Sequence, residues 1–213
     1  SLQAVHLPLF PAKEFQGKSG AGPHGDFIFE FDYIVGQLIN KLEELGYADN
    51  TLVIVTSDNG PEVGTVINMR GQYDHDGASP WRGVKRDNWE GGHRVPMVAR
   101  WPHKVKAGSI SEQTVCLTDI MATCAAIADA QLPNEAAEDN FNLLPILLGE
   151  STEDVREFTL PDMAPEAPGQ LYNLATDPGE TTNLFFKHPE VVKEMKAKLE
   201  EFKTSGRSAP KRL

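Results

Sequence analysis

The chain has 213 residues, of which 40% are hydrophobic, and a formal net charge of −11 at pH 7. Its length and apolar content are sufficient for a globular core, and its negative charge disfavours nonspecific binding to nucleic acid or to an anionic membrane. The longest apolar runs, such as Leu52 to Val55, fall far short of the roughly 20 residues that a membrane-spanning helix requires. We therefore predict a globular protein with no nucleic-acid partner and no membrane span.

The first predicted element is a helix from Phe27 to Leu45, because apolar residues recur there with helical spacing. Asp26 is its predicted N-cap and Gly46 its C-terminal stop. After a short turn, Thr51 to Thr56 form a continuous β-prone run, which is typical of a strand buried on both faces of a parallel sheet. A helix, a short loop and a buried strand together predict an α/β architecture.

A long loop without a sustained period is predicted over residues 58–92, which are rich in Gly, Asp, Asn, Arg and His. Loops of this length in compact domains are usually functional or disordered, and we favour a functional one. A second strand is predicted from Val95 to Trp101, then a helix from Leu117 to Ala130 with Thr118 as N-cap. Residues 142–148 are expected to form one or two further helical turns.

The last third of the chain becomes polar and proline-rich from about Glu150, which indicates a linker or subdomain boundary. We therefore predict two parts, residues 1–150 and 151–213. Within the second part we expect a strand from Gln170 to Leu174, an amphipathic helix from His188 to Thr204, and a frayed basic tail after it.

Two cysteines, Cys116 and Cys124, lie eight residues apart in the predicted helix, a spacing that does not suit a disulfide or a metal-type pair. We expect both to be buried small hydrophobic residues. The chain begins at Ser1 without a methionine or an apolar leader, which suggests a fragment.

The sharpest chemical feature is the run Thr56-Ser57-Asp58-Asn59-Gly60, which stands where the predicted buried strand ends. Open α/β sheets bind ligands at the carboxyl ends of their strands. Asp58 and Asn59 offer adjacent hard oxygens that suit Ca²⁺ or Mg²⁺, although two residues supply only part of such a site. The alternative is a plain turn, since Asp-Asn-Gly is good turn chemistry.

A glycine-rich basic loop carries the second candidate group, Lys85, between Gly83 and the run Trp89 to Pro96. Glycines allow close approach to a ligand, and a lysine is a compact charge for a tetrahedral oxyanion. The alternative is a solvated surface lysine. His6 is a candidate proton donor near neutral pH, with a structural role as its alternative.

Taken in order, these segments resemble arylsulfatase-type sulfatases of the alkaline-phosphatase superfamily. The matching runs are His6-Leu7-Pro8, Asp49 to Gly60, Gly83-Val84-Lys85, Glu90 to Pro96, Arg100-Trp101-Pro102, Thr118 to Met121, Leu143 to Leu148, Leu171 to Leu174, and Asp177 to Glu180 with Asn183-Leu184. The resemblance covers nearly the whole chain. It implies an alkaline-phosphatase-like, mostly parallel sheet flanked by helices, followed by a shortened carboxyl-terminal α+β subdomain.

The resemblance also implies roles for individual residues. Asp58 and Asn59 match ligands of the family's divalent metal, usually calcium, with magnesium as the alternative. Lys85 and His6 match the lysine and histidine that contact the sulfate, and His6 would protonate or position the leaving oxygen. In the family a formylglycine, made within a C/S-x-P-x-R motif, attacks sulfur. Neither cysteine begins a C-x-P-x-R motif, so we expect the nucleophile, and two further metal-binding aspartates, outside this chain.

The expected activity is hydrolysis of sulfate esters, with a sulfated carbohydrate as one candidate substrate. His75, Arg82 and His93 are candidate contacts to such an anionic substrate, or else belong to a solvated loop. The resemblance favours a periplasmic, extracellular or lysosomal location. Two alternatives stay open: hydrolysis of phosphodiesters or phosphonates on the same fold, and a noncatalytic remnant with residual anion binding.

Overall fold

The computed structural model describes residues 2–156 and 169–211. The chain divides into two compact units, one of Ser1–Trp101 with Asn173–Thr182 and the other of Pro102–Tyr172 with Asn183–Leu213. The elements are α1 (Gly22–Glu44), β1 (Val53–Thr56), α2 (Val63–Tyr73), α3 (Glu90–His93), β2 (Met97–Arg100), α4 (Asp119–Ile127), α5 (Leu144–Leu147) and α6 (Pro189–Ser205). The division of the chain near residue 150 stays a prediction.

Helix α1 confirms the first predicted helix but begins earlier, at Gly22. The prediction that Asp26 caps it is wrong, because Asp26 lies inside the helix and its carboxylate accepts hydrogen bonds from Gly17 N at 2.7 Å and Ser19 N at 2.9 Å. Burial raises the pKa of Asp26, but these hydrogen bonds outweigh burial and hold the pKa below its ordinary value. Asp26 therefore fixes the loop that precedes α1.

The end of α1 is at the predicted place. Tyr47 N donates to Leu42 O at 2.9 Å and Gly46 N donates to Glu43 O at 3.0 Å, the two bonds of a Schellman motif. Gly46 has φ of 72° there, a left-handed conformation that costs glycine little because it has no Cβ. This explains why the helix stops where the sequence predicts.

Strands β1 and β2 form a two-stranded antiparallel sheet in which Val53 pairs with Arg100 and Thr56 with Met97. Both strands were predicted, but the expectation that Thr51 to Thr56 is buried on both faces of a parallel sheet is not met in the described residues. Val53 is buried, whereas the rest of β1 is half-buried. The physical reason is that β1 has β2 as its one strand neighbour in the described part of the chain.

Helix α2 lies within the stretch that was predicted to be loop, and that prediction is wrong for Val63–Tyr73. Two glycines and several β-branched residues lower the helix propensity of this stretch. The helix is held instead by tertiary packing: Val66 and Met69 are each 1% exposed and pack with Ala78. Val84 packs against the same cluster, so α2 supports the loop that carries Lys85.

The second unit is organised around Asp119, which is 0% exposed at the start of α4. Its carboxylate accepts hydrogen bonds from Cys116 N at 2.8 Å, Phe141 N at 2.9 Å and Arg156 Nη2 at 2.6 Å. We call Asp119, Arg156 and Thr123 the Asp119 network, since Thr123 Oγ1 donates to Asp119 O at 2.7 Å. This network ties three separate stretches of chain together.

The predicted helix over Leu117 to Ala130 is confirmed in a shorter form, but the prediction of a Thr118 cap is wrong. Thr118 occupies the N-cap position without a side-chain cap hydrogen bond, because its backbone is already helical and its hydroxyl donates to Asp139 O at 3.5 Å. Cys124 is exposed and Cys116 half-buried, which corrects the prediction that both are buried. The two thiols are free, as expected.

Helix α6 confirms the last predicted helix, and α5 confirms a helical turn within residues 142–148. The predicted strand from Gln170 to Leu174 is wrong: Leu184 N donates to Leu171 O at 2.7 Å, a contact that the structure does not extend into a strand. The proline-rich stretch from Pro161 to Pro168 lies outside the described residues, and the shortened carboxyl-terminal subdomain over residues 151–213 stays a prediction. Of the helices described, none is long and apolar enough to cross a membrane.

The tail after α6 is docked rather than frayed, as far as residue 211. Ser208 donates to Asp139 Oδ1 from its backbone N at 2.8 Å and its hydroxyl at 2.7 Å. Ala209 N donates to Glu138 O at 2.9 Å, and Ala209 is 5% exposed. The prediction failed because the tail is held by an acidic loop distant in sequence, which local composition does not reveal.

Candidate functional site

Two loop segments and the short helix α3 of the first unit are joined by backbone hydrogen bonds, and we call residues 58–61, 82–85 and 90–93 the loop cluster. Gly60 N donates to Gly92 O at 2.9 Å, Lys85 N to Pro61 O at 2.8 Å, and Gly91 N to Arg82 O at 2.6 Å. The carboxyl end of β1, which leads to Asp58 and Asn59, is therefore fixed against the loop that carries Lys85. The structure brings together these three predicted site residues on one loop system.

Glycine is required at the points where the loop segments meet. A Cβ atom on Gly60 would lie 1.8 Å from Gly91 O, and one on Gly92 would lie 2.1 Å from Asp87 O. Both distances are far below van der Waals contact with a backbone oxygen that cannot swing away. The glycines of the sequence thus serve the contact between loop backbones, whereas the sequence suggested close approach to a ligand.

Asp58 and Asn59 follow β1 directly, with Asp58 exposed and Asn59 half-buried. No hydrogen bond or ion pair joins either side chain to another residue in the described ranges. A carboxylate and an amide oxygen fit a hard cation such as Ca²⁺ in kind. They do not suffice in number, and among the described residues no group of three His, Cys, Asp or Glu side chains is arranged to hold a metal.

Most basic side chains near Lys85 are already bound to acceptors of the protein. Arg86 Nη1 donates to Glu62 Oε1 at 2.6 Å, and Arg94 bonds to Glu90. His93 Nε2 lies 3.1 Å from Glu90 Oε1. Arg82 is engaged twice, because Nη1 donates to Glu180 O at 2.9 Å and the guanidinium lies 3.6 Å from the ring centroid of Trp89.

Lys85 differs from these four residues. It is half-buried, and in the described chain its ammonium group makes no hydrogen bond or salt bridge. Its charge is nevertheless felt nearby: the hydrogen bond from Arg86 lowers the pKa of Glu62 most, and the charge of Lys85 contributes to the same shift. Lys85 is therefore a positive charge that the described residues leave available to an external anion.

Glu180 is a residue of this region to which the sequence alone assigned no role. It belongs to the Asn173–Thr182 segment of the first unit, is 7% exposed, and its Oε2 accepts a hydrogen bond from Glu90 N at 2.9 Å. Burial raises the pKa of the Glu180 carboxyl. The run Asp177 to Glu180 was part of the family resemblance, and that was the signal available.

Two of the three predicted histidines, His6 and His75, lie apart from these contacts. His6 is exposed, and its Nδ1 lies 2.7 Å from Leu7 O; within the described residues no recorded contact joins its ring to Asp58, Asn59 or Lys85. His75 is exposed just beyond α2. Together with burial, which contributes more, the charge of His75 lowers the pKa of the buried His24. The catalytic role of His6 and the substrate contact of His75 stay predictions.

The tail also contains a formal match to the nucleophile motif of the family. Ser208-Ala209-Pro210-Lys211-Arg212 has the letters of an S-x-P-x-R motif. The Ser208 hydroxyl donates to Asp139, and Ala209 is buried. In the described residues this run acts as the anchor of the tail, and Arg212 lies outside them.

Comparison with known proteins gives a consistent answer. The family model named Sulfatase matches residues 1–130. An N-acetylgalactosamine-6-O-sulfatase of Bacteroides thetaiotaomicron is 33% identical over 95% of this chain and 46% of its own length. Human steryl-sulfatase is 40% identical over 72% of this chain and 26% of its own length. The chain thus spans about half, or less, of the curated relatives that it matches.

Solved structures agree with these relatives. A Bacteroides thetaiotaomicron structure, described with the metabolism of multiple glycosaminoglycans, matches with a TM-score of 0.83 and 33% identity over 95% of this chain and 49% of that one. A sulfatase from Pseudoalteromonas sp. matches with a TM-score of 0.72 and 27% identity over 93% of this chain and 47% of that one. The predicted fold class, an alkaline-phosphatase-like α/β fold present in part, is confirmed by these neighbours.

Proposed function

This chain belongs to the sulfatase family, and on that premise we propose that its loop cluster forms part of a site for the hydrolysis of sulfate esters. Asp58, Asn59 and Lys85 are the residues of that part. The loop cluster supports the proposal because two backbone hydrogen bonds, from Gly60 N to Gly92 O and from Lys85 N to Pro61 O, hold the end of β1 against the Lys85 loop. A sulfate group lying at this cluster would meet both a cation site and an ammonium group.

The observation that carries the proposal is the unpaired ammonium of Lys85. Among the basic residues from Arg82 to Arg94, four are bound by glutamate carboxylates or a carbonyl, while Lys85 lacks such an acceptor in the described chain. A sulfate ester carries negative charge on its sulfuryl oxygens, and further negative charge develops on the leaving oxygen as the S–O bond breaks. A fixed ammonium stabilises that charge without reorganising, which is the term that contributes most in many enzymes.

A divalent cation, Ca²⁺ or alternatively Mg²⁺, would be held in part by Asp58 and Asn59. When bound, it would supply Lewis-acid stabilisation of the sulfate oxygens. The two side chains of this chain would contribute one charged and one neutral oxygen ligand, and further oxygens must come from residues that this cluster does not include.

The remaining roles follow the family resemblance. His6 would donate a proton to the leaving oxygen or orient it. Ser208 begins an S-x-P-x-R run, but its hydroxyl is bound to Asp139 in the second unit, so we place the formylglycine nucleophile outside these 213 residues and infer that the 213-residue chain alone does not hydrolyse sulfate esters. The curated relatives include a sulfatase named for N-acetylgalactosamine 6-O-sulfate. A sulfated carbohydrate is accordingly our proposed substrate class, with His75, Arg82 and His93 as candidate contacts.

The test is an assay of aromatic sulfate-ester and phosphate-ester hydrolysis, each with added Ca²⁺ and with chelator. The 213-residue chain is compared with the longest polypeptide that its gene encodes. We expect Ca²⁺-dependent sulfate-ester hydrolysis by the longer polypeptide and none by the shorter. Preferential cleavage of the phosphate ester would replace this proposal with phosphohydrolase chemistry, and inactivity of both would leave a noncatalytic anion-binding protein.

A further inference from the structure

The segment Asn173–Thr182 reaches the Lys85 loop through Glu180, from about 90 residues further along the chain. Glu180 makes two contacts with this loop. Its Oε2 accepts from Glu90 N at 2.9 Å, and its backbone O accepts from Arg82 Nη1 at 2.9 Å. One residue therefore holds both ends of the loop at whose centre Lys85 lies.

The Glu180 backbone is itself in an unusual conformation, with φ of 51°. A residue with a Cβ pays for a left-handed conformation, and such residues persist where surrounding contacts determine them. Here Asp177 supplies those contacts, because its carboxylate accepts from Thr181 N at 2.9 Å and Thr182 N at 2.8 Å. The turn is thus built to present the Glu180 side chain inward.

The loop that Glu180 holds has other attachments as well: Arg86 Nη1 donates to Glu62 Oε1 at 2.6 Å, and Gly91 N donates to Arg82 O at 2.6 Å. Lys85 N donates to Pro61 O, and Val84 N donates to Asp87 Oδ2 at 3.0 Å. A charged acceptor contributes more than a neutral one, particularly where water is excluded. The buried Glu180 carboxylate is accordingly a charged acceptor that attaches this loop to the Asn173–Thr182 segment.

We propose that Glu180 is a positioning residue that holds the Lys85 loop, and through it the Lys85 ammonium, in place for the sulfate group. The inference rests on the proposed function, since it names the device that keeps the proposed anion contact in position. Glu180 itself does not touch the anion. Its carboxylate acts on the Glu90 amide, and the effect reaches Lys85 through the loop backbone.

The test compares Glu180→Ala, Glu180→Gln and a control, Asp139→Ala, in the 213-residue chain. Asp139→Ala releases the tail in the second unit and leaves the Glu180 contacts intact. Amide hydrogen exchange is measured at Lys85, Glu90 and Gly91, and inorganic sulfate binding is followed by NMR titration. Circular dichroism and the exchange of α1 amides establish that each variant is folded.

We expect Glu180→Ala to raise exchange at these three amides at least about tenfold and to weaken sulfate binding by a similar factor. Glu180→Gln, whose amide oxygen still accepts from Glu90 N, should restore both, and Asp139→Ala should change neither. Unchanged exchange at Lys85 and Gly91 in folded Glu180→Ala would overturn the inference. If exchange responds as expected but no variant or parent binds sulfate, the positioning of the loop is supported and the anion contact proposed for Lys85 fails.

Discussion

The loop cluster and the Asp119 network both join separate stretches of chain through polar contacts, yet they differ in whether the protein supplies partners for their charged groups. Asp119 is fully buried, and its carboxylate accepts from two backbone amides and from Arg156. In the loop cluster, Lys85 and Asp58 carry charges that no hydrogen bond or salt bridge satisfies in the described chain. A buried charge with protein partners indicates a structural role, whereas the exposed Asp58 and the half-buried Lys85 are charges that a ligand could reach.

The comparison is tested most severely by removing the Asp119 carboxylate. Asp119→Ala leaves the buried Arg156 without its partner and two amides without their acceptor, so we expect a loss of about 3–5 kcal/mol in the free energy of unfolding. Asp119→Asn retains one acceptor oxygen and should lose clearly less. Urea unfolding followed by circular dichroism measures both. A loss below about 1 kcal/mol for Asp119→Ala would contradict the structural role.

The loop cluster is tested by adding a single methyl group. The Cβ of Gly60→Ala would meet Gly91 O at 1.8 Å, so the loops must separate, and we expect a loss of about 1–3 kcal/mol. The matched control is Gly36→Ala in α1, where a Cβ meets no atom within 4 Å and the change should stabilise by roughly 0.5–1 kcal/mol. Equal tolerance of both changes in thermal unfolding would show that the loop backbones are not in contact.

The smallest expected effect is a difference in pH dependence between two carboxyls of the first unit. The pKa of Glu180 is raised by burial, so its folded form holds a proton more tightly than its unfolded form. Its contribution is fully present below the ordinary glutamate pKa and is lost as pH rises through the folded pKa. Relative to Glu180→Gln, the parent chain should therefore lose stability as the pH rises above the ordinary pKa of glutamate.

Asp26, in the same unit, should show the opposite dependence of stability on pH. Hydrogen bonds to Gly17 and Ser19 outweigh burial and lower its pKa, so its contribution is present above the ordinary aspartate pKa and is lost as pH falls through the folded pKa. Asp26→Asn should remove the part of the stability loss at acid pH that comes from this carboxyl. Urea unfolding across the acid range measures both variants, and a shared sign for Glu180→Gln and Asp26→Asn would contradict the two environments.

Local patterns predicted the elements that local forces determine. The apolar stripe and Gly46 placed α1, and β-branched residues placed β1. The same reasoning missed α2, because Val66 and Met69 are organised by packing against Ala78 rather than by a strong periodic pattern. It also missed the docked tail, whose partners Glu138 and Asp139 are about seventy residues earlier in the chain.

The residues of the candidate site could be predicted from the sequence, but the contacts that hold them in place could not. Asp58, Asn59 and Lys85 stood out because their chemistry and order match the family, and the structure joins their loops. Glu180 carried no chemical signal of its own, since its importance comes from burial and from two contacts across 90 residues of chain. His6, His75 and His93 stay predictions, as nothing in the described contacts ties them to a substrate.

The central claim is that the Lys85 ammonium group binds the sulfate group of the substrate. The most direct measurement is kcat/KM for an aromatic sulfate ester in the longest polypeptide that the gene encodes, comparing Lys85→Ala with Arg86→Ala, the neighbouring cation that is paired with Glu62. The account predicts that Lys85→Ala loses at least about 100-fold while the protein stays folded, and that Arg86→Ala changes little. A folded, fully active Lys85→Ala variant would contradict it.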